Sequence, residues 1–460
     1  MRAEHFDFAV IGGGKGGKTL AAKMATAGRS VAMVEKGMIG GSCINVACIP
    51  TKTMFSSAQA AESARHSNEF GTRAPFEGVD MQGVRARKRD VVTEMVARNQ
   101  ANFDRSGMTL IIGAARFTAP RSLEVSLADG GLRAVSADNV FINTGTRPAL
   151  PPISGLADAR PLDSESIQEL DRLPEHLIVL GGGYIGCEFA QMFRRFGSRV
   201  TIVEQANTFL SREDPDVAEQ VLQCFREDGI DVLLEASARR VDGVSGDSVR
   251  LTLQTSAGER LLEGSHLLAA LGRVPNTEEL NLQVAGVETD ARRFVKVNDR
   301  LETSAEGVWA LGDVNGGPQY THVSLDDWRI VAANLEGGNR STADRLVPYT
   351  LFIDPELGRI GLTETEARSR GLRVKIARLA ADRIPRAVTS GETRGYLKAV
   401  VDADTDQLLG ASILSAAGGE VMAVIQVAMR AGLRYTTLRD MIFAHPTMAE
   451  GLNDLFERPE

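Results

Sequence analysis

A glycine-rich turn between an apolar strand and a helix occurs twice in the chain, and this repeat constrains the fold more than any other feature. In each copy an acidic residue follows a second predicted strand 23 positions after the first glycine, from Gly12 to Glu35 and from Gly181 to Glu204. Glycines in this pattern let the backbone approach a pyrophosphate closely, and the acid can hold ribose hydroxyls. The repeat therefore predicts two βαβ units that each bind a dinucleotide.

The apolar patterns around the two turns predict the elements of each unit. In the first βαβ copy we predict a strand at 6–11, a helix from 18 to about 27 and a strand at 30–34. In the second βαβ copy we predict a strand at 176–180, a helix ending near 196 and a strand at 199–203. The glycines that fill the three positions of the pattern are Gly12, Gly14 and Gly17 in the first copy and Gly181, Gly183 and Gly186 in the second.

Length and composition limit the class of protein. A chain of 460 residues is long enough for roughly two to four domains. The net charge of −8 and the pI of about 5.5 argue against nucleic acid or an anionic membrane surface as a partner. The sequence begins directly with a predicted strand, and no apolar run reaches the roughly 20 residues that a membrane span needs. We therefore expect a cytoplasmic protein.

Two of the four cysteines lie in a segment that indicates redox chemistry. Cys43 and Cys48 follow two glycines and precede a proline and a lysine. A spacing of five places them on different faces of a regular helix, so they can bond to each other only where the first turn is distorted. A helix N-terminus stabilises a thiolate. The segment predicts a redox-active dithiol or disulfide, with two inert cysteines as the alternative, whereas Cys187 and Cys224 are predicted to be structural.

Several further motifs accompany these features and together cover the chain. They are Cys-x4-Cys-x-Pro-x-Lys at 43–52, Gly-Arg-x-Pro-Asn at 272–276, the Gly-Asp strand end at 312–313, and His-Pro-Thr-Met-Ala-Glu at 445–450. With them the chain resembles the flavoprotein disulfide reductases, or class I pyridine nucleotide-disulfide oxidoreductases. Within that family it is most similar to the RclA-type branch, which is associated with copper(II) reduction; supporting stretches lie at 16–20, 324–331, 384–387, 393–395 and 452–456.

The resemblance implies an α/β fold with two Rossmann-like dinucleotide-binding domains, for FAD and NAD, and a C-terminal α+β dimerisation domain. A proline-rich linker near 148–152 and a change to a strand-rich pattern after 346 fit that division. We therefore expect an FAD-binding domain at 1–150 with a second part at 273–345, an NAD(P)-binding domain at 151–272 and a dimerisation domain at 346–460. A homodimer is implied by the resemblance alone.

The resemblance also implies which residues bind the two cofactors. The residues implied to contact FAD are Gly12, Gly14, Gly17, Glu35, Lys52, Ala115, Thr144, Gly145, Asp313 and Thr321. The residues implied to contact the nicotinamide dinucleotide are Gly181, Gly183, Gly186, Glu204 and Gly272. Glu204 can accept from a ribose 2′-hydroxyl but repels a 2′-phosphate. NADH is therefore favoured over NADPH, and Arg212 keeps NADPH open as the alternative.

In the catalytic cycle that the resemblance implies, electrons pass from the nicotinamide through the flavin to a Cys43–Cys48 disulfide. Cys48 is implied to be the thiolate beside the flavin, and Cys43 the thiol that meets the substrate. Lys52 and Glu188 match the family's ion pair beside the flavin ring. His445 and Glu450 match its C-terminal acid–base dyad, which serves the partner subunit's site.

The electron acceptor that the resemblance implies is a small-molecule or metal-ion oxidant: Cu(II), another thiophilic metal ion, or a disulfide. A dedicated mercuric reductase is disfavoured because no cysteine follows Cys224. A dihydrolipoamide dehydrogenase and an FAD-binding redox sensor without efficient turnover are the alternatives. No resident metal site and no nucleic-acid partner are predicted.

Ala47 replaces the usual glycine of the family and constrains the turn, and His322 has a packing role as readily as a catalytic one.

Overall fold

The computed structural model describes residues 2–460, and this range contains twenty strands, twelve α-helices and six short 3-10 helices. The strands are β1 Glu4–Ile11, β2 Val31–Glu35, β3 Thr109–Ala119, β4 Ser122–Leu127, β5 Leu132–Ile142, β6 Thr146–Pro148, β7 His176–Leu180, β8 Arg199–Val203, β9 Asp231–Leu233, β10 Ser237–Val244, β11 Ser248–Thr255, β12 Gly258–Gly264, β13 His266–Ala269, β14 Arg273–Pro275, β15 Val308–Ala310, β16 Tyr349–Leu351, β17 Glu356–Gly361, β18 Val374–Ala380, β19 Tyr396–Asp402 and β20 Leu408–Ser415.

The α-helices are α1 Lys15–Thr26, α2 Ser42–Asn45, α3 Cys48–Arg65, α4 Met81–Ser106, α5 Tyr184–Phe196, α6 Pro215–Glu227, α7 Thr321–Leu335, α8 Glu364–Ser369, α9 Pro385–Ser390, α10 Gly418–Arg430, α11 Tyr435–Asp440 and α12 Gly451–Leu455. The 3-10 helices are Ser67–Phe70, Ser166–Glu169, Glu278–Leu280, Leu282–Ala285, Gly312–Asn315 and Ala381–Arg383.

The chain divides into two compact units, which are called the first and second unit below. The first unit comprises residues 2–54, 83–149 and 272–345, and the second comprises 55–82, 150–271 and 346–460. The chain passes from one unit to the other after residues 54, 82, 149, 271 and 345. Residues 55–82 group with the second unit, which the sequence analysis did not expect. The assignment of particular segments to FAD or to NAD remains a prediction.

A six-stranded sheet forms the centre of the first unit. Its parallel strands lie in the order β3-β2-β1-β5-β15, and β4 pairs antiparallel with both β3 and β5. Neighbouring residues on β1 belong to different buried clusters, Val10 to one and Ile11 to the other. Both faces of the central strands are thus covered, which explains why they are continuous apolar runs rather than alternating ones.

The second unit contains three sheets. A parallel sheet has the order β13-β7-β8-β9, and a three-stranded antiparallel sheet has the order β10-β11-β12. A five-stranded antiparallel sheet has the order β16-β17-β20-β19-β18, and α10 packs against β17 and β20. Helix α5, which follows β7, buries one apolar face that includes Phe189, Phe193 and Phe196. The amphipathic pattern of this helix therefore directs it onto the parallel sheet.

The two dinucleotide-type turns are built in the same register. In the first unit Ile11 of β1 lies opposite Val34 of β2, and in the second unit Leu180 of β7 lies opposite Val203 of β8. The glycine that follows each first strand then donates its N–H to the carbonyl of that valine, at 2.8 Å and 2.9 Å. Glu35 and Glu204 come directly after the valines. The repeat seen in the sequence is therefore a repeat of backbone geometry.

Several elements differ from the sequence-based expectation. The predicted strands at 176–180 and 199–203 agree with β7 and β8, whereas α1 begins at Lys15, before the predicted start at 18. Helix α3 begins at Cys48 and includes the second cysteine. The antiparallel sheet β10-β11-β12 was not predicted. Its strands carry exposed charged residues such as Arg240 and Glu263, so their apolar signal is weak.

Candidate active site

The first glycine turn forms a backbone-lined cradle around the N-terminus of α1. A Cβ on Gly14 would lie 2.5 Å from the Asn143 side-chain nitrogen, and a Cβ on Gly17 would lie 2.5 Å from the Gly12 carbonyl oxygen. The N-cap residue Gly14 offers no side-chain cap, and the first turn of α1 contains no acidic residue. One N–H of this turn, that of Gly16, donates to Ser324 Oγ at 3.1 Å. The N–H groups and positive dipole end of a helix that starts in this way suit an anion such as a pyrophosphate. These residues therefore fit the dinucleotide FAD.

Glu35 orders the loop that follows β2. Its Oε2 atom accepts a hydrogen bond from the Gly13 N–H at 2.7 Å, and its Oε1 atom accepts from the N–H groups of Gly37 and Met38 at 2.8 Å and 2.9 Å. The carboxylate thus ties the end of β2 to the glycine turn, at the edge of the sheet where a ribose is expected.

The second turn repeats this arrangement within the second unit. Glu204 accepts from the N–H groups of Gly182 and Ala206, both at 2.8 Å. A Cβ on Gly186 would lie 2.0 Å from the Gly181 carbonyl oxygen, whereas a Cβ on Gly183 would meet no atom within 4 Å. Helix α5 also begins without a side-chain cap and without an acidic residue in its first turn. The second turn therefore fits a second dinucleotide.

The segment that contains the two predicted redox cysteines is broken into two helices. Cys43 lies in α2, Cys48 is the first residue of α3, and Val46 interrupts the helical path with φ −141° and ψ 3°. Gly40 and Gly41 precede α2 with φ of 92° and 82°, which residues with a Cβ rarely adopt. The distortion expected from the sequence is thus a complete break in the helix near Ala47.

This redox segment lies directly against the first glycine turn. A Cβ on Gly41 would lie 2.6 Å from the Gly14 Cα atom, so the two backbones are in contact. The Asn45 amide group donates to the carbonyls of Ile39 and Gly41 at 3.0 Å and 2.9 Å, which fixes the loop before α2. The first unit therefore brings the cysteine pair and the dinucleotide cradle together.

The two sulfur atoms interact with each other and with α7. A hydrogen bond to Cys48, followed by burial, raises the pKa of Cys43 well above its usual range, and Thr321 and Lys18 oppose the rise. Thr321 at the start of α7 has its Oγ1 atom 3.5 Å from the Cys48 sulfur. Cys43 is half-buried and Cys48 is exposed in the chain. The two thiols therefore titrate as an interacting pair rather than independently.

Asp313 is half-buried in the 3-10 helix Gly312–Asn315, which follows β15. Thr146 donates to its Oδ2 atom at 3.2 Å. Burial raises the pKa of Asp313, and the positive charge of Arg273 opposes that rise. The preceding Gly312 N–H donates to Asp327 Oδ2 of α7 at 2.7 Å, which fixes the turn that presents Asp313. One carboxylate oxygen of Asp313 therefore accepts a hydrogen bond from Thr146, and the positive charge of Arg273 acts on the same group.

The other residues implied to contact FAD are spread over the first unit. Thr144 donates its hydroxyl to the Asn276 carbonyl at 2.9 Å, and Gly145 has φ 67° with open space where a Cβ would lie. Ala115 packs in the core of the sheet, so only its backbone can meet a ligand. Gly272, which is expected to contact the nicotinamide dinucleotide, also has positive φ and open space. The His322 ring stacks on Tyr320 with a centroid distance of 5.3 Å.

His445 and Glu450 form the expected dyad in the second unit. The imidazole Nδ1 and the carboxylate Oε2 are 2.9 Å apart. The histidine side chain is 70% exposed, whereas the glutamate side chain is 16% exposed. A half-buried carboxylate at Nδ1 can orient the ring so that Nε2 faces away from it, as the expected acid–base role requires. Glu188, also in this unit, accepts from the Phe352 N–H at 3.1 Å; its expected pairing with Lys52 remains a prediction.

A buried polar cluster that the sequence analysis missed holds Tyr184 of the second glycine turn. The hydroxyls of Tyr184 and Tyr349 donate to Glu213 Oε1 at 2.6 Å and 2.9 Å, and Arg359 donates to Glu213 Oε2 at 3.0 Å. Burial, followed by the Glu213 charge, raises the pKa of Tyr184 well above its usual range. In the sequence, the position of Tyr184 within the second glycine turn was the one indication of this cluster.

Comparisons with known proteins connect this geometry to a family. The family model for pyridine nucleotide-disulphide oxidoreductases matches residues 6–327, and the model for the dimerisation domain of the same family matches residues 347–456. The chain belongs to the pyridine nucleotide-disulphide oxidoreductases. This confirms the predicted α/β fold with FAD and NAD domains and a C-terminal dimerisation domain.

Individual members of the pyridine nucleotide-disulphide oxidoreductases match over nearly the whole chain. The probable pyridine nucleotide-disulfide oxidoreductase RclA of Escherichia coli K12 is 42% identical over 97% of this chain and 98% of its own length. A mercuric reductase of Lysinibacillus sphaericus is 35% identical over 98% of this chain and 82% of its own length. A solved structure, the Cu(II) complex of the HOCl-induced flavoprotein disulfide reductase RclA from E. coli, superimposes with a TM-score of 0.90 at 40% identity and covers 99% of both chains.

Membership of the pyridine nucleotide-disulphide oxidoreductases confirms several expectations. The chain is an RclA-like flavoprotein disulfide reductase with a redox-active cysteine pair, and its family uses FAD and NAD(P)H. The dimerisation domain indicates a homodimer. Across residues 2–460, no helix has the length and apolar character needed to cross a bilayer.

Proposed function

We propose that this enzyme uses NADH to reduce a disulfide between Cys43 and Cys48, which then passes the electrons to Cu(II), to another thiophilic metal ion or to a small disulfide. The observation that carries the proposal is the hydrogen-bonded sulfur pair at the break between α2 and α3, against the backbone of the first glycine turn. The low number of cysteines supports a reducing compartment, so we propose the cytoplasm as its location.

The first glycine turn, Glu35 and Asp313 are proposed to hold FAD, and the second glycine turn and Glu204 are proposed to hold NADH. When bound, the flavin supplies the relay that accepts a hydride from NADH and passes two electrons onward. The remaining chemistry belongs to the chain. Lys52, which follows Cys48 on α3, is proposed to place a positive charge beside the flavin ring, with Glu188 as its partner.

The cysteines are proposed to divide the proton and the charge between them. When the disulfide is reduced, the S–S bond breaks and the pair takes up two electrons and one proton. The raised pKa of Cys43 favours the proton on this sulfur and the negative charge on Cys48. The first position of α3 supports a thiolate at Cys48 because a helix N-terminus stabilises negative charge.

Copper(II) is the acceptor that we favour. A relative that is 40% identical over 99% of the chain forms a Cu(II) complex. Two Cu(II) ions take one electron each from the reduced pair, the S–S bond re-forms, and the proton held by Cys43 is released. The substrate ion needs no proton from an acid–base group, so this step can proceed at the two sulfur atoms alone.

A second candidate function is that of a dihydrolipoamide dehydrogenase, and the His445–Glu450 hydrogen bond favours it. A disulfide substrate produces a leaving thiolate, which an imidazole oriented by a carboxylate can protonate. An FAD-binding redox sensor is a third candidate, which the presence of both a cysteine pair and an acid–base dyad disfavours.

A panel of acceptors tests the proposal. The holoenzyme is given NADH or NADPH with Cu²⁺, Hg²⁺, lipoamide, glutathione disulfide or oxygen, and both coenzyme loss and Cu(I) are measured. We expect Cu²⁺ to give the fastest turnover, with two Cu(I) formed for each NADH. Lipoamide turnover on the order of 10² s⁻¹ with negligible copper reduction would instead identify a dihydrolipoamide dehydrogenase. If no acceptor stimulates oxidation of the coenzyme, the redox sensor is the remaining candidate.

The preference for NADH is tested by Glu204→Gln. The amide oxygen can still accept from one of the two loop N–H groups that Glu204 holds, and the negative charge that repels a 2′-phosphate is removed. We expect the ratio of kcat/KM for NADPH to that for NADH to rise about tenfold, or about 1.4 kcal/mol. Glu219→Gln, at an exposed position on α6, is the matched control. An unchanged ratio in Glu204→Gln would show that this charge does not select the coenzyme.

A further inference from the structure

Lys18 is a buried lysine in the first unit whose position the glycine turn does not explain. It lies on α1 directly after Gly17 and is only 8% exposed. Its ammonium group donates to the Gly40 carbonyl oxygen at 3.0 Å and to Asn99 Oδ1 on α4 at 2.7 Å. Gly40 begins the redox segment. The ammonium group is therefore held between the dinucleotide turn, the redox segment and α4.

Both hydrogen-bond partners of Lys18 within residues 2–460 are neutral. Burial and the nearby Lys15 lower the pKa of Lys18 to about 8, whereas Cys43 raises it. Lys18 in turn lowers the pKa of Cys43, so the two groups act on each other. A cation that is buried without a carboxylate is costly to keep, and the one negative charge that the cysteine pair gains on reduction would offset part of this cost.

We propose that Lys18 is a positioning residue that supplies the counter-charge for the reduced cysteine pair and so sets how readily the Cys43–Cys48 disulfide is reduced. This inference rests on the redox role proposed above for the pair. The disulfide carries no charge, whereas the pair that has gained two electrons and one proton carries one negative charge. A fixed positive charge nearby therefore stabilises the reduced form only, which raises the reduction potential of the pair.

The proposal assigns Lys18 a role beyond that of a structural link to Gly40. A hydrogen bond from any neutral donor would hold the loop equally well in both oxidation states. The positive charge acts differently because its interaction with the pair changes when the charge of the pair changes. Reduction of the disulfide must then also strengthen proton binding at Lys18, since the coupling between two sites is reciprocal.

Lys18→Met tests the charge, and the reduction potential of the pair is the measured quantity. The FAD-loaded dimer is equilibrated at pH 7 in a series of glutathione redox buffers, quenched with acid and alkylated. Mass spectrometry of the peptide that contains Cys43 and Cys48 then gives the fraction of disulfide. We expect the equilibrium constant to shift about tenfold towards the disulfide, which corresponds to a potential about 30 mV more negative.

Three further variants separate charge from structure. Asn99→Ala removes one hydrogen bond of Lys18 but keeps its charge, and Lys18→Arg also keeps the charge, so both should remain within about twofold of the wild type. Lys23→Met makes the same change at an exposed position on α1 and should have no effect. If Lys18→Met does not accumulate, Lys18→Gln retains a donor without the charge and should shift the equilibrium to the same extent.

The outcomes distinguish the inference from the function on which it rests. A wild-type potential in Lys18→Met or Lys18→Gln would overturn the role of Lys18, and so would an equal shift in Asn99→Ala. If the wild-type enzyme forms no bond between Cys43 and Cys48 in any buffer, the proposed function itself fails.

Discussion

Replacing Cys48 by serine is expected to lower NADH-dependent reduction of the acceptor by about 10⁴-fold, because a hydroxyl neither forms a disulfide nor carries electrons between the cofactor site and the substrate. The loss corresponds to about 5 kcal/mol of transition-state free energy. Cys43→Ser should cause a loss of the same size, because the two sulfur atoms act as one unit and either loss prevents the S–S bond. Steady-state coenzyme consumption with Cu²⁺ and with a disulfide measures both variants.

The control for these variants is Cys224→Ala, which removes a thiol buried in α6. It should retain activity within about twofold, because small changes of this kind in a core act on stability rather than on chemistry. FAD content, measured from the absorbance of each purified variant, must equal that of the wild type. Undiminished copper reduction in Cys43→Ser would mean that electrons leave directly from the flavin and that the pair is not on their path.

The second large effect is expected at the His445–Glu450 dyad, and it should depend on the acceptor. His445→Gln should lower turnover of a disulfide substrate such as lipoamide by about 10³-fold, because the leaving thiolate loses its proton donor. Copper reduction should change less than about threefold, since that step needs no proton from the histidine. The ratio of the two rates, measured on one enzyme preparation, is therefore the informative quantity.

Two further variants make the test of the dyad specific. Glu450→Gln keeps a side chain of the same shape 2.9 Å from the imidazole Nδ1 but removes the charge, so it should cause a smaller loss than His445→Gln with the same acceptor dependence. His66→Gln changes an exposed histidine that also pairs with acidic residues in the second unit, and it should have no effect. Equal losses for copper and for disulfides in His445→Gln would contradict an acid–base role for His445.

The sequence predicted those parts of the fold in which local rules act alone. Strands β7 and β8 agree with prediction because a buried parallel strand is a continuous apolar run bounded by glycine or charged residues. Glu35 and Glu204 could be placed because β1 pairs with β2 in the same register as β7 pairs with β8. This register fixes the number of residues from the first glycine to the end of the second strand. The antiparallel strands β10 to β12 lack that signal, because one side of each is exposed and charged.

The candidate site could be predicted where a motif lies within one short segment. The cysteine pair, the two glycine turns and the His445–Glu450 dyad are of this kind. The break between α2 and α3 was expected only as a distorted turn, because the sequence does not show that Val46 leaves the helical path. The cluster around Glu213 was missed because its partner Arg359 lies 146 residues away. Lys18 was missed as a buried charge because its neighbours, the loop at Gly40 and α4, are brought together only by folding.

Stoichiometric reduction by NADH tests the central claim most directly. The oxidised holoenzyme is mixed anaerobically with one equivalent of NADH per subunit and no acceptor, then quenched with acid, denatured and alkylated. We predict two new labels per subunit, located by mass spectrometry on Cys43 and Cys48, with none added to Cys187 or Cys224. Oxidation of NADH without new labels on Cys43 and Cys48 would contradict the claim that the electrons pass through this sulfur pair.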